Sequence, residues 1–393
     1  MCADTCENER LILKALRNET EFEEDEKIPS FVQSIMGSLV TDYYEEFDRE
    51  DEEGNEIIGE DEVVLSATGD YTIFKCYGFD SHWCGGPSFS YKATDALKEK
   101  IEEMEKELQK SHPDYSIGTT GRIRSRNNVT NWYVGPSIKD EDTLRFFLNN
   151  LEVVGPTDKE IDRWRKGRKQ CFDKNWCQFV STNMVFEGGL GASLALVSKL
   201  MRKNPDLLNR WYDFLMEGPV MRFKAAAKAG FKLFCTADDM AYKTGPMMSP
   251  RNYSKFVVPQ AKKLCDIVRD VDGVIFMHTD GNIYNVLDCF IEAGYHAIQP
   301  LEPTSGMTVK KVKEGWGNKL ACIGNVDTTN TLPFKSEEKV RQEVHRVMKE
   351  GRIGGKKGYL FAASGSLHPR IPMKNVLAMM DEWKKINRKE IEL

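Results

Sequence analysis

No stretch of about eighteen consecutive apolar residues occurs in this chain, which removes a transmembrane helix from consideration. The N-terminus lacks the short apolar core of a secretory leader, and the ten cysteines form no CxxC pair and no disulfide-like spacing. A reducing cytoplasm is the compartment to expect, with no membrane as partner. Positive charge is also scarce, since 55 lysines and arginines stand against 61 aspartates and glutamates and leave a net charge of -6. Nucleic acid is therefore not an expected partner either. The one glycine-rich run, Glu187-Gly188-Gly189-Leu190-Gly191, lacks the Lys-Ser/Thr ending of a phosphate loop and reads as a tight turn between a strand and a helix. No linker is visible from residue 157 to 393, and nothing repeats beyond a strand and helix unit. A chain of this length buries a sizeable core, and a single domain over 1–393 is the simplest organisation.

What is present falls into two parts. Residues 1–156 make an irregular N-terminal extension and the first elements. Residues 9–18 form an amphipathic helix, 21–62 are densely acidic and read as a solvated loop, 63–76 alternate enough to be strands, and 92–111 form a surface helix with acid and base neighbours. Arg122, Arg124 and Arg126 read as a basic surface loop. From 157 onward the pattern becomes regular. Thr157 with Glu160 caps a helix, strands start at 177, 231, 274, 297, 319 and 359, and helices fall between them, one of them opened by Ser249-Pro250. This alternation predicts a parallel (β/α)8 barrel.

The central stretch is GVIFMHTDGNIYNVLDCFIEAGYHAIQPLEP, residues 273–303. A short buried strand ends in His278-Thr279-Asp280-Gly281-Asn282, a helix follows, and a second strand runs to Glu302. Two earlier and later strands end in Asp238-Asp239 and in Gly324-Asn325-Val326-Asp327. Ionisable groups at the C-terminal ends of successive parallel strands mark the catalytic rim of a barrel.

These same segments, Ala237-Asp238-Asp239, Ser249-Pro250, 277–282, Pro300-Leu301-Glu302-Pro303, 324–327 and GYLFAASGSLHPRIPMKNVLAMM at the end, resemble the uroporphyrinogen decarboxylase superfamily in order and spacing. The resemblance covers residues 205–393 and implies one barrel with one of two chemistries, porphyrinogen decarboxylation or methyl transfer to or from a corrinoid. The decarboxylase branch is similar only in part. Its N-terminal arginine-rich motif has no counterpart, and its late Gly-His reads Gly365-Ser366, with His368 two residues on. A polyanionic tetrapyrrole calls for several fixed cations. The thiol-methylating members carry a His-x-Cys zinc site, whereas here Asp280 and Ser366 stand near the thiolate positions and His278 is retained. A thiolate-bound zinc is therefore not expected, while a metal on oxygen and nitrogen donors, His278 with Asp280, Asp239 or Glu302, stays open.

The resemblance that remains is to the substrate-side methyltransferases of corrinoid-dependent O-demethylation. It implies a small methoxylated, aromatic donor, a corrinoid on a partner protein as acceptor, and compatibility with a homodimer. The departing oxygen needs a proton or a Lewis acid, because an aryloxide with pKa about 10 leaves poorly near neutrality. Asp239, His278, Asp280 and Glu302 are the candidate catalytic residues, since crowded carboxylates raise one another's pKa. Asn282, Tyr242, Trp83, Phe186, Phe361 and Asp327 are the candidate substrate contacts. Asp80-Ser81-His82-Trp83-Cys84-Gly85 matches an Asp-x-His-x-x-Gly cobalamin signature without its companion elements, and reads as chance. A decarboxylase of a porphyrinogen or other polyacid, and a non-catalytic binding barrel, are the competing readings.

Overall fold

The computed structural model describes residues 6–18, 22–36, 39–40, 43, 72–125, 133–188 and 191–393. Its centre is a closed barrel of eight parallel strands: β1 (Ser30–Val32), β2 (Ser81–Cys84), β3 (Cys177–Asn183), β4 (Leu233–Ala237), β5 (Val274–His278), β6 (Ala297–Gln299), β7 (Ala321–Val326) and β8 (Tyr359–Ala363). Each strand pairs with its neighbours in chain order, and β1 closes the ring on β8. The expected (β/α)8 barrel is the fold. No helix among the described residues is long and apolar enough to cross a membrane.

Side-chain parity divides each strand between two apolar layers, as the period of two requires. Phe31, Phe179, Val274, Phe276, Ala297, Ile323, Leu360 and Ala362 fill the barrel interior, while Val180, Ile275, Met277, Ile298, Cys322 and Phe361 face the surrounding helices. Inside, Phe31, Phe179 and Phe276 meet edge to face with ring centroids 5.0–5.5 Å apart, a geometry worth about 1 kcal/mol per pair beyond the area buried.

The helix α1 (Glu7–Arg17) closes the N-terminal end of the barrel. Ile12, Leu13 and Leu16 join the interior layer, and three of the helix's polar contacts go to residues just before strands. Asn8 bonds Asn175, Arg17 reaches the Asp272 carbonyl, and the Ala15 carbonyl accepts from the Gly358 N–H. One end of the barrel is thereby covered, and the ionisable strand-end residues lie at the other.

The regular portion runs as expected: α2 (Asp158–Asp173) starts on a Thr157 cap to the Glu160 N–H, and α3 (Pro205–Lys228), α4 (Val258–Asp270), α5 (Leu287–Ala293), α6 (Val309–Trp316), α7 (Glu337–Gly351) and α8 (Met373–Asn387) follow. One expectation is corrected. Thr72–Cys76 is a short helix rather than a strand, and the preceding residues 63–71 lie outside the described residues, as do most of the acidic stretch and Arg126. Between β2 and β3 the chain inserts the helix Asp95–Gln109 and two small antiparallel sheets, one of which carries Arg122 and Arg124.

Candidate active site

At the open end, register places β5 beside β4 and β6 so that His278 lies level with Ala237 on one side and Gln299 on the other. His278 follows Phe276 in parity and therefore points inward. Its Nδ1 bonds the Gln299 Oε1, and the Gln299 amide donates at 3.4 Å to Gln33, the residue after β1. A carbonyl oxygen can only accept, so Nδ1 carries the proton and Nε2 is left for the cavity. The indole of Trp83, inward on β2, meets the imidazole edge to face at 5.0 Å. One aromatic wall thus stands directly against the histidine.

Asp239 and Asp280 join His278 with one ligand atom from each within 4.8 Å of the others. The Asp280 N–H donates to the Asp239 carboxylate at 3.1 Å, which fixes the two loops against each other. Asp280 keeps an exposed edge, yet the wall of the barrel mouth strips water from its carboxyl and pushes it above the ordinary carboxylate range. His278 opposes that rise, while the charges of Asp239 and Glu302 add to it.

Glu302 does a different job. Its carboxylate accepts from the Gly281 N–H at 2.9 Å, from Ser305 Oγ at 2.6 Å and from Thr304 Oγ1. Burial works against its charge, but the Ser305 and Thr304 hydroxyls, the Gly281 N–H and the nearby Lys243 outweigh it and hold the group below its usual value. It is an ionised clamp between two loops, not a store of protons. Replacing it by glutamine puts an NH2 against donors, and is expected to cost about 1–3 kcal/mol. A depressed carboxyl contributes stability above its unfolded pKa, near ~4.3, and loses it as pH falls through the folded value. The gap in Tm between the parent chain and Glu302→Gln should therefore be full at neutral pH and close in acid; a gap independent of pH would contradict the clamp.

The other expected contacts divide. Phe361 is corrected: it faces outward, fully buried, and stacks on Trp383 of α8 with centroids 6.0 Å apart, so it cannot touch a ligand in the barrel. Phe186 is also buried in the apolar layer around the barrel, and its N–H donates to the carboxylate of the buried Asp238. Asp327 accepts from the Thr329 and Asn330 N–H groups at 2.7 and 3.1 Å and caps its own turn. Asn282 ties loops together, its amide donating to the Ser305 carbonyl and its N–H to the Tyr242 carbonyl. The Tyr242 ring itself is exposed on a two-residue hairpin strand. His82 is fully buried between Phe74 and Trp176, with ring centroids 4.7 and 4.6 Å away. It cannot present itself to a cobalt, in keeping with a chance match.

Gln299 and Gln33 were not anticipated. The signal was parity: Gln299 is two residues after Ala297 on a strand whose odd positions face inward, which puts it beside His278.

With this geometry in view, the likenesses to known proteins fall into place. The family model described as "Uroporphyrinogen decarboxylase (URO-D)" matches residues 179–386. Among curated relatives, the uroporphyrinogen decarboxylase of Syntrophotalea carbinolica is 23% identical over 244 residues, covering 62% of this chain and 66% of its own length. That of Mannheimia succiniciproducens is 25% identical over 207 residues, covering 51% and 54%. The chain thus spans between half and two thirds of the relatives it matches. Among solved structures, a "methyltransferase from Methanosarcina mazei" superposes with a TM-score of 0.62 at 17% identity, over 97% of this chain and 99% of that one, which is a likeness of fold. The matched segment runs from within β3 to the closing helix and carries every strand that supplies Asp239, His278, Asp280 and Glu302, and on that ground the chain belongs to the uroporphyrinogen decarboxylase family.

Proposed function

We propose that this protein is the substrate-side methyltransferase of a corrinoid-dependent O-demethylation, taking the methyl group from a small methoxylated arene. The observation that carries the reading is the cluster of Asp239, His278 and Asp280 against the Trp83 ring, with oxygen and nitrogen donors only. An aromatic wall seats an apolar ring, and an acid at its edge meets the ether oxygen. The corrinoid, held on a partner protein, supplies the nucleophile that accepts the methyl group. What this chain contributes is orientation of the ether against the Trp83 ring and a proton from Asp280 to the departing oxygen.

The same three side chains fit a divalent cation of hard or borderline character, because the Gln299 bond to Nδ1 orients His278 to offer Nε2, as outer-sphere partners of metal-bound histidines do. Bound there, zinc or a similar ion would supply Lewis acidity to the leaving oxygen. Thiolates are not among these donors.

The curated relatives named uroporphyrinogen decarboxylases favour the second reading, decarboxylation of a porphyrinogen-like polyacid. The side chains gathered at the mouth speak against it. Asp239, Asp280 and Glu302 gather carboxyl groups where a polycarboxylate calls for cations. The test is loss of Co(I) absorbance on a purified corrinoid protein when this chain and a panel of methoxylated arenes are added, run with and without chelator, beside an assay of CO2 release from uroporphyrinogen. Arene-dependent loss of Co(I) is the expected result. Release of CO2 without any loss of Co(I) would overturn the proposal in favour of the decarboxylase.

A further inference from the structure

At the covered end of the barrel, far in the fold from the catalytic rim, two thiols face each other. Cys6 stands at the N-cap of α1 and Cys177 opens β3, 171 positions later, with their sulfurs 3.7 Å apart. Their backbones are held in place independently of the sulfurs. Asn8, two residues past Cys6, donates its N–H to the Asn175 Oδ1 at 2.9 Å and its side-chain amide to the Asn175 carbonyl at 2.6 Å, and Asn175 lies two residues before Cys177. A covalent bond requires the sulfurs to close by about 1.7 Å, within reach of side-chain rotation.

The two thiols are chemically unequal. Cys6 is half-buried, and Cys177 is buried. The hydrogen bond shared with Cys177, with the Glu9 N–H in the first turn of α1 and the charge of Arg168, holds the Cys6 thiol below its ordinary value against burial and the Glu9 carboxylate. Burial pushes Cys177 up. A small crevice lined by Cys6, Glu9, Arg168, Cys171 and Phe231 borders the pair, and the half-buried Cys6 is the thiol nearer to solvent.

We infer that Cys6 and Cys177 form a reversible redox site, closed to a disulfide by thiol exchange with a small-molecule disulfide. In the first step the Cys6 thiolate attacks one sulfur of the small disulfide, forming a mixed disulfide and releasing one thiolate. In the second, Cys177 attacks the Cys6 sulfur, and the second small thiolate leaves with the Cys177 proton. Two protein thiols are oxidised and one disulfide is reduced to two thiols, so atoms and electrons balance. The product staples the plug helix α1 to the barrel wall across a long loop, a constraint that stabilises chiefly by restricting the unfolded chain.

The test equilibrates the full chain in buffers of graded oxidised to reduced glutathione, quenches with an alkylating agent and maps the peptides. A linked Cys6–Cys177 peptide is expected to appear reversibly, with a rise in Tm of roughly 5 °C on oxidation. Cys6→Ser should lose both, and Cys2→Ser should lose neither. Glutathione that remains on Cys6 without linking to Cys177 would overturn the inference. So would a Cys2–Cys6 bond, or oxidation of Cys177 only under conditions that unfold the chain. Peptide mapping of the parent chain keeps the test decisive even if a variant at the buried Cys177 fails to fold.

Discussion

Asp280→Asn is expected to slow demethylation of an unactivated methoxyarene by about 10²–10⁴-fold while leaving arene binding nearly unchanged. The amide keeps the shape of the carboxyl and its N–H bond to Asp239, and loses the proton that meets the developing oxyanion. The loss should therefore depend on the leaving group. Methoxyarenes whose phenols have low pKa need little assistance and should react almost normally, whereas those of high pKa should suffer the full effect. Single-turnover loss of Co(I) across such a series measures the slope. A cation held by Asp239, His278 and Asp280 would give a similar slope in the parent chain, and a chelator separates the cases: proton donation survives it and Lewis acidity does not. If Asp280→Asn keeps the parent slope in both conditions, Asp280 is not the group that meets the oxygen.

The same substitution carries a second, opposite consequence. A carboxyl whose folded pKa lies above its unfolded value disfavours the fold once it ionises, so its penalty grows as pH rises from the unfolded value through the folded one and is full above it. With chelator present, Asp280→Asn should raise Tm at neutral pH and have little effect in acid. Loss of activity together with a gain in stability is the mark of a group retained for chemistry rather than for the fold. On the proposed reading Asp239 and Asp280 are crowded for the reaction's sake, whereas Glu302, ringed by hydroxyls and an N–H, shows what a carboxylate retained for structure looks like.

How far the sequence reveals such differences depends on what kind of information each residue carries. The barrel was legible because strands and helices alternate with short loops, and the ionisable rim because Asp238-Asp239, His278 to Asp280 and Glu302 stand at or just past the ends of β4, β5 and β6. The first two strands were not. β1 is three residues long and β2 is four, neither sits within the regular strand and helix alternation that marks the equally short β6, and it is pairing with β8, β3 and each other that makes them strands. Parity was the second blind spot. A fully apolar run such as Tyr359–Ala363 is buried on both faces, so nothing in it says that Leu360 and Ala362 look inward and Phe361 outward. The difference between Asp280 and Glu302 was out of reach for another reason: the hydroxyls of Thr304 and Ser305 follow Glu302 closely in the chain, but the Gly281 N–H that joins them arrives only through the fold. Gln299 was hidden by its type, since an uncharged amide draws no notice until it is seen bonded to His278.

A chain of contacts also connects the floor of the rim to its chemistry, and it begins at a glycine. Gly324, in β7, has φ +143° and passes so close to the loop after β6 that an added Cβ would lie 2.2 Å from the Pro300 carbonyl oxygen. That atom belongs to the backbone and cannot rotate away. The next residue, Asn325, donates its side-chain amide to the Leu301 carbonyl at 2.9 Å and the Met307 carbonyl at 3.2 Å. Those two bonds hold the segment that carries Glu302, and Glu302 holds Gly281 beside Asp280. Gly324→Ala should therefore cost more than about 4 kcal/mol, from a positive φ and a backbone collision together, and should disturb the position of Asp280 at second hand. Gly315 supplies the matched control. It lies inside α6 with nothing within 4 Å of an added Cβ, so Gly315→Ala should stabilise by about 0.5–1 kcal/mol through helix propensity alone. Thermal or denaturant unfolding of the two variants beside the parent chain gives the comparison. Equal and small effects of the two would mean that β7 and the loop after β6 are not packed as closely as the geometry of Gly324 requires.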